Sequence, residues 1–177
     1  LPCFVPDQKV LAIVDAQKDF IDGSMGVGME KWKKAKAAII DLMKKEKYDS
    51  IVYTKDWHPA NHCSFKPQGG PWPNHCVAGE KGAEIDAELL AVNIPSVTLN
   101  KGCNPNVEEY GIDVLPNVDN VKELHLVGLC FDYCVQSCAK ETAKTHPNTK
   151  IVVKKAGTVA IDENAKIDWE GLNVKVE

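Results

Sequence analysis

Four side chains with reactive groups follow short apolar runs of the sequence. Asp15 and Asp56 come after two of these runs, Lys101 follows a third, and Cys134 comes shortly after a fourth. A thiol can attack a carbonyl carbon, a carboxylate can accept and return its proton, and an ammonium group can stabilise both charges. Singly, such residues often end strands only because they face water. Together they favour an enzyme with a cysteine nucleophile.

Cys134 is the candidate nucleophile. The segment DYCV over 132–135 is typical of the beginning of a helix, with Asp132 as the N-cap and Gly128 closing the strand before it. A thiol at a helix N-terminus lies at the positive end of the dipole, and Lys101 would add to this effect, so we expect a stabilised thiolate. The alternative is a buried cysteine that acts as a small apolar side chain. That alternative fits three other cysteines better: Cys3, Cys103 and Cys138.

A second group of residues has the composition of a divalent-metal site. Asp56, His58 and His62 are followed by His75 in one short stretch of the chain. Because Asp56 and His58 are two residues apart, an extended segment points both side chains the same way, and His75 can return across the loop. An Asp with two His leaves coordination positions open for water or substrate, unlike a closed structural zinc site. The alternative is that these histidines are solvated or packed.

The segment over 57–80 is a long loop. It is rich in Pro, Gly, His and Asn and has no convincing periodicity. Loops longer than about 12–15 residues are uncommon in compact domains and tend to be functional or disordered. Its tryptophans and histidines argue against disorder, so we interpret 56–80 as an ordered, metal-binding lid or wall. Whether His62 is a fourth ligand or supports the ligands is left open, whereas His125 and His146 are expected to be structural or exposed.

The elements that must position these residues alternate along the chain. Apolar runs rich in β-branched residues predict strands over 10–14, 51–54, 97–99, 124–127 and 151–153, with a weaker one over 174–176. Most are continuous rather than alternating, which is typical of a parallel sheet covered on both faces. Three- and four-residue apolar spacings predict helices over 30–47, 83–90 and 134–144. The pattern indicates an α/β protein, and ligands of such sheets bind beyond the carboxyl ends of the strands.

Length and composition limit the classes of protein that fit. The chain has 177 residues, 44% of them hydrophobic and 26% charged, which predicts one globular domain over 1–177. The net charge of −4 argues against nucleic-acid binding. The longest aliphatic run, 10–14, is far shorter than the ~20 residues of a membrane span, and no secretory leader is recognisable. Seven cysteines, an odd number without a Cys-x-x-Cys pair, favour reduced thiols and a cytoplasmic protein.

Several common catalytic motifs are absent from the sequence. It has no Gly-x-Ser-x-Gly elbow, no phosphate-binding loop that ends in Gly-Lys-Ser/Thr and no Gly-x-Gly-x-x-Gly fingerprint. The glycines over 23–28 have the wrong spacing and indicate a flexible turn. Thiol chemistry beside a metal remains the main hypothesis. A non-enzymatic module that senses metal or oxidant through its cysteines and histidines is the alternative from a different class.

Five segments together resemble the nicotinamidase/pyrazinamidase branch of the isochorismatase-like cysteine hydrolases. In chain order they are VDAQKDF (14–20), TKDWHP (54–59), WPNHC (72–76), NKG (100–102) and GLCFDYCV (128–135). No single segment is decisive, but the ordered set is specific and spans most of the chain. The resemblance implies a three-layer αβα sandwich, Rossmann-like, around a mostly parallel sheet of about six strands.

The resemblance also implies an activity and a set of site residues. The reaction would be hydrolysis of nicotinamide, or of pyrazinamide-type analogues, to the acid and ammonia, by a catalytic triad of Asp15, Lys101 and Cys134. One divalent metal ion, zinc with iron or manganese as alternatives, would be held by Asp56, His58 and His75. The substrate would contact Phe20, Trp72 and Cys130. A cis peptide between Leu129 and Cys130 would aim the N–H groups of Cys130 and Cys134 at an oxyanion.

The sequence departs from the pattern of the family at a few positions. Lys18 stands where Asn is usual, and Cys130-Phe131 replaces a smaller pair, so Phe131 is expected to reshape the pocket. The stretch after Ile161 is short, which predicts a trimmed last helix. These departures concern substrate preference, so a sister amidohydrolase acting on a ureido or carbamoyl compound is the nearest alternative. The expected partner is the small-molecule substrate, with homo-oligomerisation left open.

Overall fold

The computed structural model describes residues 8–177, so Cys3 lies outside the described part. Six strands form one sheet in the order β3-β2-β1-β4-β5-β6, and every neighbouring pair is parallel. The strands are β1 (Gln8–Val14), β2 (Ser50–Asp56), β3 (Ser96–Lys101), β4 (Val121–Leu129), β5 (Lys150–Val159) and β6 (Val174–Val176). The predicted parallel sheet of about six strands is confirmed.

Helices cover both faces of this sheet. They are α1 (Lys18–Ile21), α2 (Met29–Lys45), α3 (Ala87–Leu90) and α4 (Gln136–Thr145). On one face, Trp32 and Ile39 of α2 pack with Leu11 of β1. On the other face, Ala139 of α4 packs with Val10, the strand neighbour of Leu11. Adjacent strand residues therefore enter opposite cores, and the three-layer sandwich is confirmed.

Two helix predictions need correction. The predicted helix over 83–90 is wrong in its first half, because Ile85 pairs with Gln17 in an extended bridge. The α-helix instead begins after Asp86, whose carboxylate accepts hydrogen bonds from Glu88 N and Leu89 N, so that only Ala87–Leu90 is α-helical. Near the end of the chain, 160–173 contains no helix within the described residues. α2 lies within two residues of its predicted bounds.

The order of the strands places four chain segments side by side at one edge of the sheet. The carboxyl ends of β3, β2, β1 and β4 are neighbours, and Asp56 is in register with Lys101. At β4, Gly128 has φ +116°, and a Cβ there would lie 2.0 Å from Val14 O, so glycine lets the two strands approach this closely. Within residues 8–177, none of the helices combines the length and apolarity that a bilayer crossing demands.

Candidate active site

Lys101 occupies the centre of the site. Its Nζ lies 2.8 Å from Asp15 Oδ2, 2.6 Å from Asp56 Oδ1 and 3.3 Å from Cys134 Sγ. The side chain is fully buried. An ammonium group without solvent needs such anionic partners, and here two carboxylates supply them. The structure thus brings together the three residues of the predicted triad and adds a contact with Asp56.

Asp15 is the acid–base candidate of this group. Thr54 Oγ1 donates a 2.8 Å hydrogen bond to Asp15 Oδ1, and the residue has φ +45°, a conformation uncommon outside glycine. Oδ2 faces the Lys101 ammonium as an ion contact but receives no well-directed hydrogen bond. Burial raises the pKa of Asp15 to about 6, although Lys101 and Thr54 oppose this. Such a carboxyl group can exchange a proton near neutral pH.

Cys134 differs from its predicted state. It lies in a π-helical turn, Phe131–Val135, that precedes α4. Burial raises the pKa of the Cys134 thiol, the Lys101 ammonium opposes this rise, and the negative charges of Asp15 and Asp56 add to it. The expectation of a stabilised thiolate is therefore wrong for this arrangement, because burial disfavours the charged form of the thiol and Lys101 also faces two carboxylates. The resting thiol needs a base at the moment of attack.

The prediction for Asp132 is also wrong. The residue lies inside the π-helical turn, and Cys130 occupies the capping position instead. The Asp132 carboxylate accepts hydrogen bonds from Ile161 N (2.8 Å) and Asp162 N (2.9 Å). It therefore fastens the connection between β5 and β6 to the turn that carries Cys134.

Asp56, His58 and His75 form a compact cluster of metal-ligand atoms. Asp56 Oδ2 lies 3.3 Å from His58 Nε2 and 3.8 Å from His75 Nε2. His58 Nδ1 donates to Gly102 O and His75 Nδ1 donates to Pro73 O, each at 2.8 Å. These bonds leave both Nε2 atoms free to accept, which is the arrangement of metal-binding histidines. The residues fit a divalent cation.

The electrostatics of the cluster favour binding of a cation. Burial would raise the pKa of Asp56, but Lys101 and His58 outweigh it, so that the pKa falls below its ordinary value and the carboxylate is ionised. Burial lowers the pKa of His75, which keeps its imidazole neutral and able to coordinate. Oδ1 of Asp56 contacts Lys101 whereas Oδ2 faces the imidazoles. One carboxylate therefore belongs to both parts of the site.

Gly102 leaves room for the His58 imidazole because it has no side chain. It has φ +65°, and a Cβ there would lie 2.4 Å from His58 Cε1 and 2.7 Å from Nδ1. Its N–H donates to Glu109 Oε1 (2.9 Å) while its carbonyl accepts from His58. A larger residue would displace the imidazole or the strand end.

His62 supports this cluster without belonging to it. Its Nδ1 accepts a hydrogen bond from Ser64 N, and its Nε2 donates to Val107 O, both at 3.0 Å. The ring lies 4.1 Å from the ring of His58, centroid to centroid. Since both nitrogens are occupied, the geometry favours the supporting role among the alternatives that the sequence left open.

An aromatic pocket opens beside Cys134 and the cluster. Trp72 Nε1 donates a 2.9 Å hydrogen bond to Tyr110 Oη, and Trp72 packs edge-on against Tyr133 at 5.4 Å. Phe20 packs on His75 at 5.5 Å. The residues lining the pocket are Phe20, Met25, Asp56, Trp72, His75, Glu108, Tyr110, Cys130, Tyr133, Cys134 and Ile161. Its walls suit a planar ring whose polar atoms face the cluster and the thiol.

Comparison with known families identifies the scaffold of this site. A family model described as the isochorismatase domain matches residues 9–165. The chain belongs to the isochorismatase family. The match extends from β1 through β5 and includes each strand end described above. It therefore covers all the residues that converge on Lys101.

Relatives of this isochorismatase-family chain cover nearly its whole length. The Mycobacterium tuberculosis nicotinamidase/pyrazinamidase is 30% identical over 166 residues, 87% of this chain and 89% of that protein. The Pyrococcus horikoshii pyrazinamidase, solved in complex with zinc, is 30% identical with a TM-score of 0.70 and coverage of 88% of both chains. PnC1 from L. infantum, in complex with nicotinate, is 29% identical with a TM-score of 0.78, covering 92% of this chain and 87% of that chain.

Departures from the family pattern have different consequences in the structure. The predicted cis peptide between Leu129 and Cys130 is present. Cys130 lines the pocket, but Phe131 does not, and the expectation that Phe131 reshapes it is wrong. Phe131 packs into the core below α4, with the Lys155 ammonium 5.2 Å from its ring. Lys18 pairs with Asp22 at the surface (3.0 Å).

Other cysteines and histidines lie where predicted, with one exception. Cys138 is buried, but Cys103 is exposed, so the expectation of burial for Cys103 is wrong. Cys103 lies just beyond β3 in a segment without secondary structure, where no apolar layer covers it. His125 is buried and hydrogen-bonded to Tyr48 (2.7 Å), and His146 contacts Asp113. Both are structural.

Two residues that position the site are not indicated by any sequence pattern of their own. The Gln17 side chain donates to Asp56 O (2.8 Å) and accepts from Asp56 N (2.9 Å), which fixes the backbone of this residue of the cluster. Asp19 Oδ2 accepts from Cys76 N (2.8 Å) and so holds the loop next to His75. Both lie in the segment VDAQKDF, whose polar positions were the available signal. No sequence pattern indicated that Tyr110 belongs to the site, because its segment has no periodicity.

Proposed function

We propose that this chain is a nicotinamidase, which hydrolyses nicotinamide to nicotinate and ammonia. The observation that carries the proposal is the buried Lys101 ammonium, which joins a thiol and two carboxylates beside the Asp-His-His cluster and the aromatic pocket. Family membership and the named relatives support amide hydrolysis. The carboxamide of a bound pyridine would face the thiol while its ring lies in the pocket.

We assign Asp56, His58 and His75 as the residues that hold a divalent ion, zinc or alternatively iron or manganese. When bound, such an ion supplies a Lewis acid for the pyridine nitrogen. Phe20 and Trp72 would contact the two faces of the ring, and Tyr110 and Tyr133 would complete the wall. This arrangement restricts the substrate to a planar ring with its carboxamide directed at Cys134.

The first half of the reaction makes a thioester. Asp15 accepts the proton of Cys134 as sulfur bonds to the carboxamide carbon, and the electron pair of the C=O bond moves to oxygen. We assign the N–H groups of Cys130 and Cys134 as donors to that oxyanion. The oxyanion then re-forms the C=O bond, the C–N bond breaks, and Asp15 returns the proton to the departing nitrogen, which leaves as ammonia.

The second half hydrolyses the thioester. Asp15 accepts a proton from water as the water oxygen attacks the thioester carbon. The new oxyanion then collapses, the C–S bond breaks, and the thiolate recovers its proton from Asp15. Throughout, Lys101 stays protonated, since its two carboxylate contacts raise its pKa, and it holds Asp15 and Cys134 together. Nicotinic acid and the resting thiol result, and the acid loses its proton to solvent as nicotinate.

Replacement of the nucleophile tests this function. We expect the wild-type enzyme to release ammonia from nicotinamide and Cys134→Ala to lose more than about 10³-fold in kcat. Cys138→Ala, which removes a buried thiol one helical turn away, is the matched control and is expected to remain active. Metal content should be equal in both variants. Appreciable turnover by Cys134→Ala would contradict the assignment, and faster turnover of an N-carbamoyl compound would favour the sister amidohydrolase.

We also propose that the chain forms one domain and works in the reducing cytoplasm. One continuous sheet connects β1 to β6, and no disulfide is present among the described residues. Free thiols of this number are typical of a reducing compartment.

A further inference from the structure

The mouth of the aromatic pocket carries a carboxylate that the proposed reaction does not use. Glu108 lines the pocket, as do Met25 and Ile161. Its side chain is exposed, and within residues 8–177 no ion pair or hydrogen bond engages it. The neighbouring Glu109, by contrast, accepts a hydrogen bond from Gly102 N. The negative charge of Glu108 is therefore uncompensated by a local partner.

This charge acts on the interior of the pocket. Burial raises the pKa of Tyr110, and the negative charge of Glu108 raises it further. Tyr110, on the pocket wall, thus experiences the field of Glu108. A charge on a bound ligand would experience it too.

Apart from the divalent ion that Asp56, His58 and His75 would hold, the pocket offers an anion no cationic group. In the described part of the chain, none of the lining residues is a lysine. The sequence contains no arginine, so the bidentate partner that usually binds a carboxylate is missing altogether. Lys101 lies beneath the floor with 1% of its surface exposed and already faces Asp15 and Asp56.

We propose that Glu108 is a specificity residue that selects against anions in this pocket. The inference rests on the proposed function and deepens it. Hydrolysis turns a neutral carboxamide into a carboxylate in place, so Glu108 repels the product but not the substrate. It thereby promotes release of nicotinate and disfavours amides that carry a carboxylate of their own, such as N-carbamoyl amino acids.

Charge variants of the metal-loaded enzyme test this role. The measurements are the inhibition constant of nicotinate, its Kd by calorimetry and the KM of nicotinamide. In Glu108→Gln, the ratio of nicotinate affinity to nicotinamide affinity is expected to rise about fivefold, because the variant removes one negative charge from a partly solvated pocket. Because the electrostatic free energy is proportional to charge, Glu108→Lys should raise the same affinity ratio about 25-fold. In 0.5 M salt both effects should shrink.

Glu170→Gln is the matched control, since Glu170 is exposed and does not line the pocket. It should leave the affinities for nicotinate and nicotinamide unchanged. An unchanged ratio of nicotinate to nicotinamide affinity in Glu108→Gln, or an equal change for both ligands, would overturn the inference while leaving nicotinamidase activity intact. If the wild-type enzyme failed to hydrolyse nicotinamide, the proposed function would fail, and calorimetry with the two ligands would still decide the role of the charge.

Discussion

Asp15 is a buried carboxyl group whose protonation controls the proposed chemistry. Its pKa of about 6 results from burial, opposed by Lys101 and by the hydrogen bond from Thr54. The base that accepts the thiol proton is the ionised form, which predominates above that pH. Below it, protonated Asp15 cannot accept a proton, so catalysis should fall as the pH decreases.

We expect kcat/KM for nicotinamide to lose about tenfold per pH unit below pH 6. Thr54→Val removes a hydrogen bond that stabilises the charged form of Asp15, so the acid limb should move upward by about half a pH unit. Because Lys101 has a raised pKa, its titration should not limit activity at mildly alkaline pH. A pH–rate profile for both enzymes measures this. An acid limb at the same pH in both would contradict the role of Asp15.

Gly102→Ala tests the positioning of His58. The added Cβ would collide with the imidazole, at 2.4 Å from Cε1, so metal affinity should fall about 10- to 100-fold. Competition with a chromogenic chelator measures that affinity. Gly171→Ala is the matched control, because Gly171 also has positive φ, +78°, but nothing lies within 4 Å of its Cβ position. Equal metal affinities in the two variants would refute the collision.

At the scale of elements, Asp132 links the turn Phe131–Val135 to the connection 160–173 through two hydrogen bonds. Asp132→Ala removes both acceptors of Ile161 N and Asp162 N and should cost about 1–2 kcal/mol of unfolding free energy. Since Ile161 lines the pocket, the KM of nicotinamide should rise about fivefold. Denaturant unfolding and steady-state kinetics measure the two effects.

Asp168→Ala is the control for this connection. Asp168 Oδ1 accepts from Glu170 N within the same segment, away from the pocket. It should lower stability without changing KM. If Asp168→Ala raised KM as much as Asp132→Ala, the effect would belong to the whole connection rather than to its attachment at the turn.

The sequence predicted elements where apolar patterning is continuous. β1 and β4 contain their predicted runs, 10–14 and 124–127, and begin two and three residues earlier. β2 and β3 extend beyond their predicted ends to Asp56 and Lys101. The helix over 83–86 failed because Ile85 pairs with Gln17, a distant residue that no local pattern indicates. Tertiary pairing overrides propensity in such short segments.

For the site, residue type and spacing predicted which side chains meet but not their charge balance. The contact of Lys101 with Asp56 depends on the strand order, which places β3 beside β2. The pKa of the Cys134 thiol depends first on its burial and then on three buried charges, so a local helix-dipole argument gave the wrong sign. Glu108 and Tyr110 carried no signal, because they lie in an irregular segment.

At the scale of the whole molecule, the proposed metal ligands connect the sheet to the long loop over 57–80. Asp56 ends β2, whereas His75 lies at the far end of that loop. A cation bound to both should therefore stabilise the folded chain, because ligands that bind only the native state shift the unfolding equilibrium.

Removal of the metal should lower the melting temperature of the wild-type protein. At about 100 times its Kd, a bound ion contributes ~2.7 kcal/mol, which corresponds to roughly 5–10 °C for a domain of this size. Scanning calorimetry before and after chelation measures the shift. His58→Ala should show no metal-dependent shift, whereas a shift of equal size in this variant would place the stabilising ion elsewhere.

The two oxygens of Asp56 have separate partners, Lys101 at Oδ1 and the imidazoles at Oδ2. Polarisation of the carboxylate toward one oxygen lowers the negative charge on the other. The proposed metal ligands and the triad therefore compete for the charge of the same carboxylate. A different ion, or a changed imidazole, would alter how firmly Asp56 competes with Asp15 for the ammonium. Ion preference and thiol reactivity in this enzyme therefore cannot evolve independently of each other.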